Sequence, residues 1–313
     1  MKIISAEQIN NALNYPDLID HLDQGFSRPF NMPKRQVFNI NPGTENKDAF
    51  AVLPAWNEDY LAVKAFTYFP SNYRHNKSAL HSNILLFNRS HGEPLALLEG
   101  ASLTHWRTAA VSALASRYLS NPDASRLLLL GTGNLAPHLI AAHLSVRPID
   151  SVIIWGRNTD KAQALATGLS EKFRRVNFSV HLDVKPAAQD SDIIVAATAS
   201  PAPVLYGNWV APGTHVDLLG NHNADQRECD SELIGKAQVF VDSKVNVLNE
   251  AGELLIPIHE GVFSEQAILA ELSQLCNKSI AGRQSLSPIT LFKSVGTAIS
   301  DLLAAQYVFE KLS

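Results

Sequence analysis

An apolar run, Leu127-Leu128-Leu129-Leu130, stops at Gly131-Thr132-Gly133 and passes into a helical pattern from Leu135. Dinucleotide sites begin this way. Gly131 permits the tight turn, Gly133 lets a pyrophosphate approach the backbone, and Ala136 fills the third small position. Amides around Asn134, Leu135 and Ala136, at the start of the helix, would face the phosphates. The next strand ends in Ile154-Trp155-Gly156-Arg157-Asn158-Thr159, with no Asp or Glu to take the ribose hydroxyls. Arg157 suits a 2′-phosphate, with Asn158 and Thr159 as further donors. The expected cofactor is NADPH, with NADH as the alternative. Thr198 is counted with these cofactor contacts.

Two charges stand where charges are costly. Lys64 interrupts the apolar strand pattern Leu61-Ala62-Val63-Lys64-Ala65-Phe66, and an ion in such a strand must be paired or active. Arg107 lies in a helical stretch, Thr104–Leu119, crowded with alanines. A guanidinium grips a planar carboxylate with two parallel hydrogen bonds, so Arg107 has the chemistry to hold an acid.

The 313 residues are enough for two domains, with 46% hydrophobic and 18% charged residues in an ordinary globular balance. A formal net charge of -4 and scattered basic residues argue against a nucleic-acid partner. Two cysteines, Cys229 and Cys276, do not make a disulfide scaffold. No stretch reaches the roughly 20 apolar residues that span a bilayer, and the N-terminus lacks the apolar core of a signal peptide. A cytoplasmic protein away from membranes is the expectation. The histidines form no chelating pair, and no metal is expected.

These residues need a frame. Residues 6–27 read as a single helix, followed by extended pieces at 36–40, 48–54 and 60–69. Residues 83–87 and 94–99 flank a turn at Gly92, completing a mostly antiparallel sheet. From residue 126 the rhythm becomes alternating strand and helix, which predicts a parallel sheet covered on both faces. The fold class is therefore α/β: a Rossmann-type nucleotide domain plus an α+β domain. A final helix covers 298–312.

Several stretches carry a family resemblance. They are Leu103-Thr104-His105-Trp106-Arg107-Thr108-Ala109-Ala110-Val111-Ser112-Ala113, the Gly131 turn, Pro212-Gly213-Thr214-His215, Arg227-Glu228, and Thr290-Leu291-Phe292-Lys293-Ser294-Val295-Gly296. Together they resemble the ornithine cyclodeaminase/mu-crystallin family over nearly the whole chain. The resemblance implies a homodimer. It also implies that residues 1–120 with 294–313 form the dimerisation and substrate domain, and residues 121–293 the nucleotide domain.

Family members share imine chemistry next to a carboxylate. The resemblance gives Arg107, Lys64 and Arg35 as groups around the substrate carboxylate, with Ser82 and His81 in a region that can add a polar contact. Cyclodeaminases carry an aspartate where this chain has His222. Its absence moves the expectation from deamination of ornithine to reduction of a cyclic imino acid. Pyrroline-2-carboxylate, giving proline, comes first, and piperideine-2-carboxylate, giving pipecolate, comes second. His222, Lys64 or water would help to supply the proton. The rivals are an alanine, N-alkyl-amino-acid or opine-type dehydrogenase using a 2-oxo acid plus an amine, and a non-catalytic NADPH-binding protein.

Overall fold

A computed structural model describes residues 1–44 and 48–313. The chain divides into two compact units, one of residues 1–108 with 297–313, the other of residues 109–296. The expected borders, 120/121 and 293/294, are displaced. The observed border at 108/109 falls inside a continuous helix, Gly100–Leu119, so it could not be read from a break in secondary structure.

The first unit is built on a six-stranded sheet. Its strands are β1 (Lys2–Ile4), β2 (Gln36–Asn39), β3 (Ala49–Trp56), β4 (Tyr60–Tyr68), β5 (Leu80–Asn88) and β6 (Pro94–Glu99), in the order β1-β6-β5-β4-β3-β2. All neighbours are antiparallel except β1 on β6. Alternation along β4 and β5 puts Ala62, Lys64, Ser82, Ile84 and Leu86 on the buried face. Helices Tyr15–Ser27 and Ala298–Lys311 belong to this unit, and the latter packs on β3, β4 and β5.

The single helix expected at 6–27 is two helices, Ala6–Ala12 and Tyr15–Ser27. Leu13 is extended, and the Asn14 side chain accepts a hydrogen bond from Asp17 N at 3.0 Å, capping the second helix. The alanine-rich helix starts at Gly100 instead of Thr104. The Glu99 carboxylate accepts from the amides of Ala101 and Ser102, each at 2.8 Å, and so supplies the N-terminal cap.

The second unit carries an eight-stranded, wholly parallel sheet. Its strands are β7 (Arg126–Leu130), β8 (Ser151–Trp155), β9 (Asn177–Val180), β10 (Ile193–Ala196), β11 (His215–Leu218), β12 (Gln238–Val241), β13 (Ile268–Glu271) and β14 (Thr290–Lys293). They run in the order β13-β12-β14-β11-β10-β7-β8-β9. Both β7 and β10 are almost entirely apolar, as strands covered on two faces must be. The order reverses at β7, and the loops past β7 and β10 border the crevice that such a switch point creates. Strands β13 and β14 and the helices Lys244–Glu250 and Gly252–His259 were not expected from the sequence.

Candidate active site: a carboxylate clamp and a cofactor cleft

In the first unit the two costly charges meet a third. Lys64 Nζ lies 3.2 Å and Arg107 Nε 2.8 Å from the same oxygen, Oδ1, of Asp301 on the last helix. Lys64 Nζ also donates to Thr104 Oγ1 at 2.6 Å, and Thr104 Oγ1 donates to the Gly100 carbonyl at 2.6 Å. An ammonium has three hydrogens. Two are taken by protein, and one remains for a ligand. Arg107 uses Nε, and neither Nη nitrogen makes a hydrogen bond among the described residues. The free edge of that guanidinium matches a carboxylate.

Burial dominates the Lys64 ammonium and pushes its pKa down to about 8. Asp301 opposes the shift, while Arg107 and Arg35 add to it. Burial alone would raise the Asp301 carboxyl, but Arg107 and then Lys64 outweigh it and hold it below the usual carboxylate range. Two cations against one anion leave the cluster positive before Arg35 is counted. Arg35 is half-buried and close enough for its charge to act on Lys64.

Ser82 faces the same side of the sheet as Lys64. Its Oγ is buried without a hydrogen-bond partner. His81 is its neighbour in the strand, so it points to the opposite face and is exposed. The structure therefore brings Lys64, Arg107 and Ser82 to one face and leaves His81 off it. His222 is exposed in the loop after β11, within the second unit.

The second unit holds the cleft that the glycine turn announced. Gly131, Thr132, Gly133, Trp155, Gly156, Arg157, Asn158, Lys161 and Ala197–Ser200 line it. Gly131 has φ +124°, and a Cβ there would stand 2.5 Å from the Ala197 carbonyl oxygen. Only glycine fits. At Gly133 a Cβ would meet nothing within 4 Å, so its backbone faces open space. Asn134 and Leu135 lead into the helix Ala136–Leu144, whose first residue is buried. This cradle, at a helix start beside a parallel strand, fits a dinucleotide pyrophosphate. Arg157 is exposed on the far wall. Asn158 Oδ1 caps the helix Thr159–Lys172 by accepting from Lys161 N at 2.9 Å, which leaves its amide NH2 to donate to a ligand. Thr198 turns its hydroxyl away to Glu228, donating to Oε1 at 2.7 Å.

Sequence reasoning missed Asp301, Lys161, Glu228 and Lys293. Lys161 is a second cation on the wall that carries Arg157. Lys293 and Glu253 form an ion pair at 3.0 Å with both side chains fully buried. Glu228 is buried, which raises its carboxyl above the ordinary value despite Lys293. Among the described residues no group of His, Cys, Asp and Glu could hold a metal ion, and no helix is long and apolar enough to cross a membrane.

The model of the ornithine cyclodeaminase/mu-crystallin family matches residues 1–313. The chain belongs to this family. Among curated members, the Delta(1)-pyrroline-2-carboxylate reductase of Colwellia psychrerythraea is 53% identical, over 100% of both chains. The enzyme of the same name from Bacillus cereus strain ATCC 14579 is 35% identical, over 99% of this chain and 96% of its own. Among solved structures, the Thermococcus litoralis Delta(1)-pyrroline-2-carboxylate reductase in complex with NADH and L-proline superposes with a TM-score of 0.94. It is 32% identical, over 99% of this chain and 97% of that one. Family membership accounts for the Rossmann-type unit and the separate α+β unit.

Proposed function

We propose that this protein is an NAD(P)H-dependent reductase of a cyclic imino acid, with Δ1-pyrroline-2-carboxylate as substrate and L-proline as product. Piperideine-2-carboxylate, giving pipecolate, is the second substrate. The observation that carries this reading is the Asp301-centred pair of cations, in which Arg107 keeps its Nη edge and Lys64 one hydrogen for a small acid. The relatives named for this reaction, one at 53% identity over the full length, point the same way.

The chain's own residues bind and orient. Arg107 takes the carboxylate in a bidentate grip, with Lys64 and Arg35 adding positive charge beside it. Ser82 Oγ, lacking a partner, offers a further hydrogen bond on that face. A reduced nicotinamide, when bound, supplies the hydride that the imine carbon accepts. The imine nitrogen carries the proton, so the product is a secondary amine. The positive surroundings disfavour a protonated imine, and the substrate carboxylate offsets them. His222 stands where deamination would call for an acid, which weighs against release of ammonia from ornithine.

Arg157, with Lys161 beside it and no carboxylate in the Trp155–Asn158 turn, favours NADPH over NADH. The first unit, with Val37, Phe38 and Phe50 exposed on β2 and β3, serves as the dimerisation and substrate domain of a homodimer.

The test is a panel of Δ1-pyrroline-2-carboxylate, piperideine-2-carboxylate and pyruvate with methylamine, each with NADPH and with NADH, and of ornithine with the oxidised cofactors, read by ammonia release. Loss of reduced cofactor with the two cyclic imines but not with pyruvate and methylamine, and no ammonia from ornithine, is expected. Turnover of pyruvate with methylamine alone would replace this reading by an N-alkyl-amino-acid dehydrogenase.

A further inference from the structure

Glu228 lies in neither helix nor strand, yet its side chain is fully buried. Its carboxylate ties together two turns. Oε1 accepts from Thr198 N at 2.6 Å and from Thr198 Oγ1 at 2.7 Å, and Oε2 accepts from Gly220 N at 2.7 Å. Thr198 follows β10 and Gly220 follows β11, so both turns lie at the carboxyl edge of adjacent parallel strands. The turns touch through backbone. A Cβ on Gly220 would stand 2.5 Å from Thr198 N and 2.7 Å from Ala199 N.

The Thr198 turn is one wall of the cofactor cleft, and it is strained. Ala199 has φ +50°, a left-handed conformation that L-residues avoid. Such a residue persists only where its surroundings over-determine it, and that happens most often beside bound ligands. Here the restraints are visible. Glu228 holds the residue before Ala199 through two bonds. Asn221 Nδ2 holds the residue after it by donating to the Ser200 carbonyl at 2.7 Å. Behind them Lys293 Nζ donates to the Asn221 carbonyl at 2.6 Å and pairs with Glu253, whose Oε1 accepts from Glu228 N at 3.2 Å. All three donors that the Glu228 carboxylate satisfies belong to these two turns.

We infer that Glu228 is a positioning residue for the cofactor: it fixes the wall Ala197–Ser200 in the shape that receives the dinucleotide, without touching the dinucleotide itself. This inference rests on the proposed cofactor site. Losing one of its oxygens as an acceptor leaves either the Thr198 or the Gly220 amide without a partner and frees the strained turn. The charges behind it remain balanced by the Lys293–Glu253 pair.

The experiment titrates the full-length protein with NADPH, reading nicotinamide fluorescence, and follows thermal melting in parallel. The variants are Glu228→Gln, Thr198→Val, the double variant and Thr214→Val. Glu228→Gln is expected to weaken NADPH binding about tenfold, the effect of one hydrogen bond to a charged group. The KM for the imine should stay near its wild-type value. Thr198→Val, cutting the same link from the cleft side, is expected to weaken binding roughly threefold. The double variant should lose no more than Glu228→Gln alone. Thr214→Val removes a buried hydrogen bond to the Ser191 carbonyl at the amino edge of the same two strands, away from both turns, and should lower the melting temperature while leaving NADPH affinity within about twofold. If Glu228→Gln and Thr214→Val both lower melting and neither affects NADPH affinity, Glu228 is structural only and the inference fails. If Glu228→Gln does not fold, additive loss in Thr198→Val and a Glu228→Asp partner variant would overturn it equally. Wild-type protein that binds neither NADPH nor NADH would remove the cofactor reading, and this inference with it.

Discussion

Lys64 on β4 reaches Asp301 on the last helix, 237 residues further along the chain, at 3.2 Å with both side chains almost wholly buried. Breaking a buried pair leaves an uncompensated charge, which costs about 3–5 kcal/mol. Asp301→Asn should therefore lower stability by that order in a denaturant titration. It should also cut kcat/KM for the imine, because Arg107 and Lys64 lose the charge that holds them in place. Full stability in the variant would show that the pair contributes nothing net.

The same pair sets a pH dependence. Burial brings the Lys64 pKa down to about 8 from a free value near 10.5. The ammonium is the form that donates to the substrate, so kcat/KM for the imine should be level below about pH 8 and fall above it. The stability sign is the opposite. The unfolded chain holds this proton up to higher pH than the folded one. The Lys64 contribution to stability therefore rises as pH passes from about 8 toward 10.5. Lys64→Arg, charged throughout, should remove the alkaline limb arising from this group at a lower overall rate. An unchanged limb would assign it to another group.

Cofactor choice is read from one wall of the cleft. Arg157→Ala should raise the KM for NADPH on the order of tenfold, as expected on losing a hydrogen-bonded charge, and leave that for NADH nearly unchanged. Lys161→Ala should act in the same direction with a smaller effect. Steady-state kinetics with both cofactors check this. Equal loss with each cofactor would mean that Arg157 does not meet the 2′-phosphate.

Gly131→Ala tests the turn itself. The φ of +124° is strained for alanine, and the new Cβ would meet the Ala197 carbonyl at 2.5 Å. A loss of at least about 1–3 kcal/mol in stability is expected, with weakened binding of NADPH and NADH alike. Melting temperature and cofactor titration measure the two effects.

Much of this site was legible because some residues break their local pattern. Lys64 in an apolar strand and Arg107 among alanines announced themselves, and the glycine turn followed a strand and opened a helix as required. Asp301 lies in an apolar helix, Ala298-Ile299-Ser300-Asp301-Leu302-Leu303, and Lys293 in an apolar strand, so the cost of burying a charge marks both as it marks Lys64. What no local pattern could provide is pairing. Lys64 and Arg107 meet Asp301 from 237 and 194 residues away. The choice between His81 and Ser82 needed the register of β5, because one residue along a strand reverses the face. The break at Leu13-Asn14 escaped because apolar residues continue at helical spacing across it.

The place of β14 in the second sheet has a consequence for synthesis. It follows every other strand of that sheet along the chain, yet it lies between β11 and β12 and pairs with both. Until the ribosome has passed Lys293, the strands β9-β8-β7-β10-β11 have no strand pairing with β12-β13. Asp301, the partner of Lys64 and Arg107, emerges later still. Neither unit can reach its final form on a nascent chain that lacks this C-terminal stretch. Both units are thus completed only once residues 290–301 are available to pair. A stop codon before Thr290 should yield a chain that chaperones or proteases clear, with neither half surviving as a folded fragment.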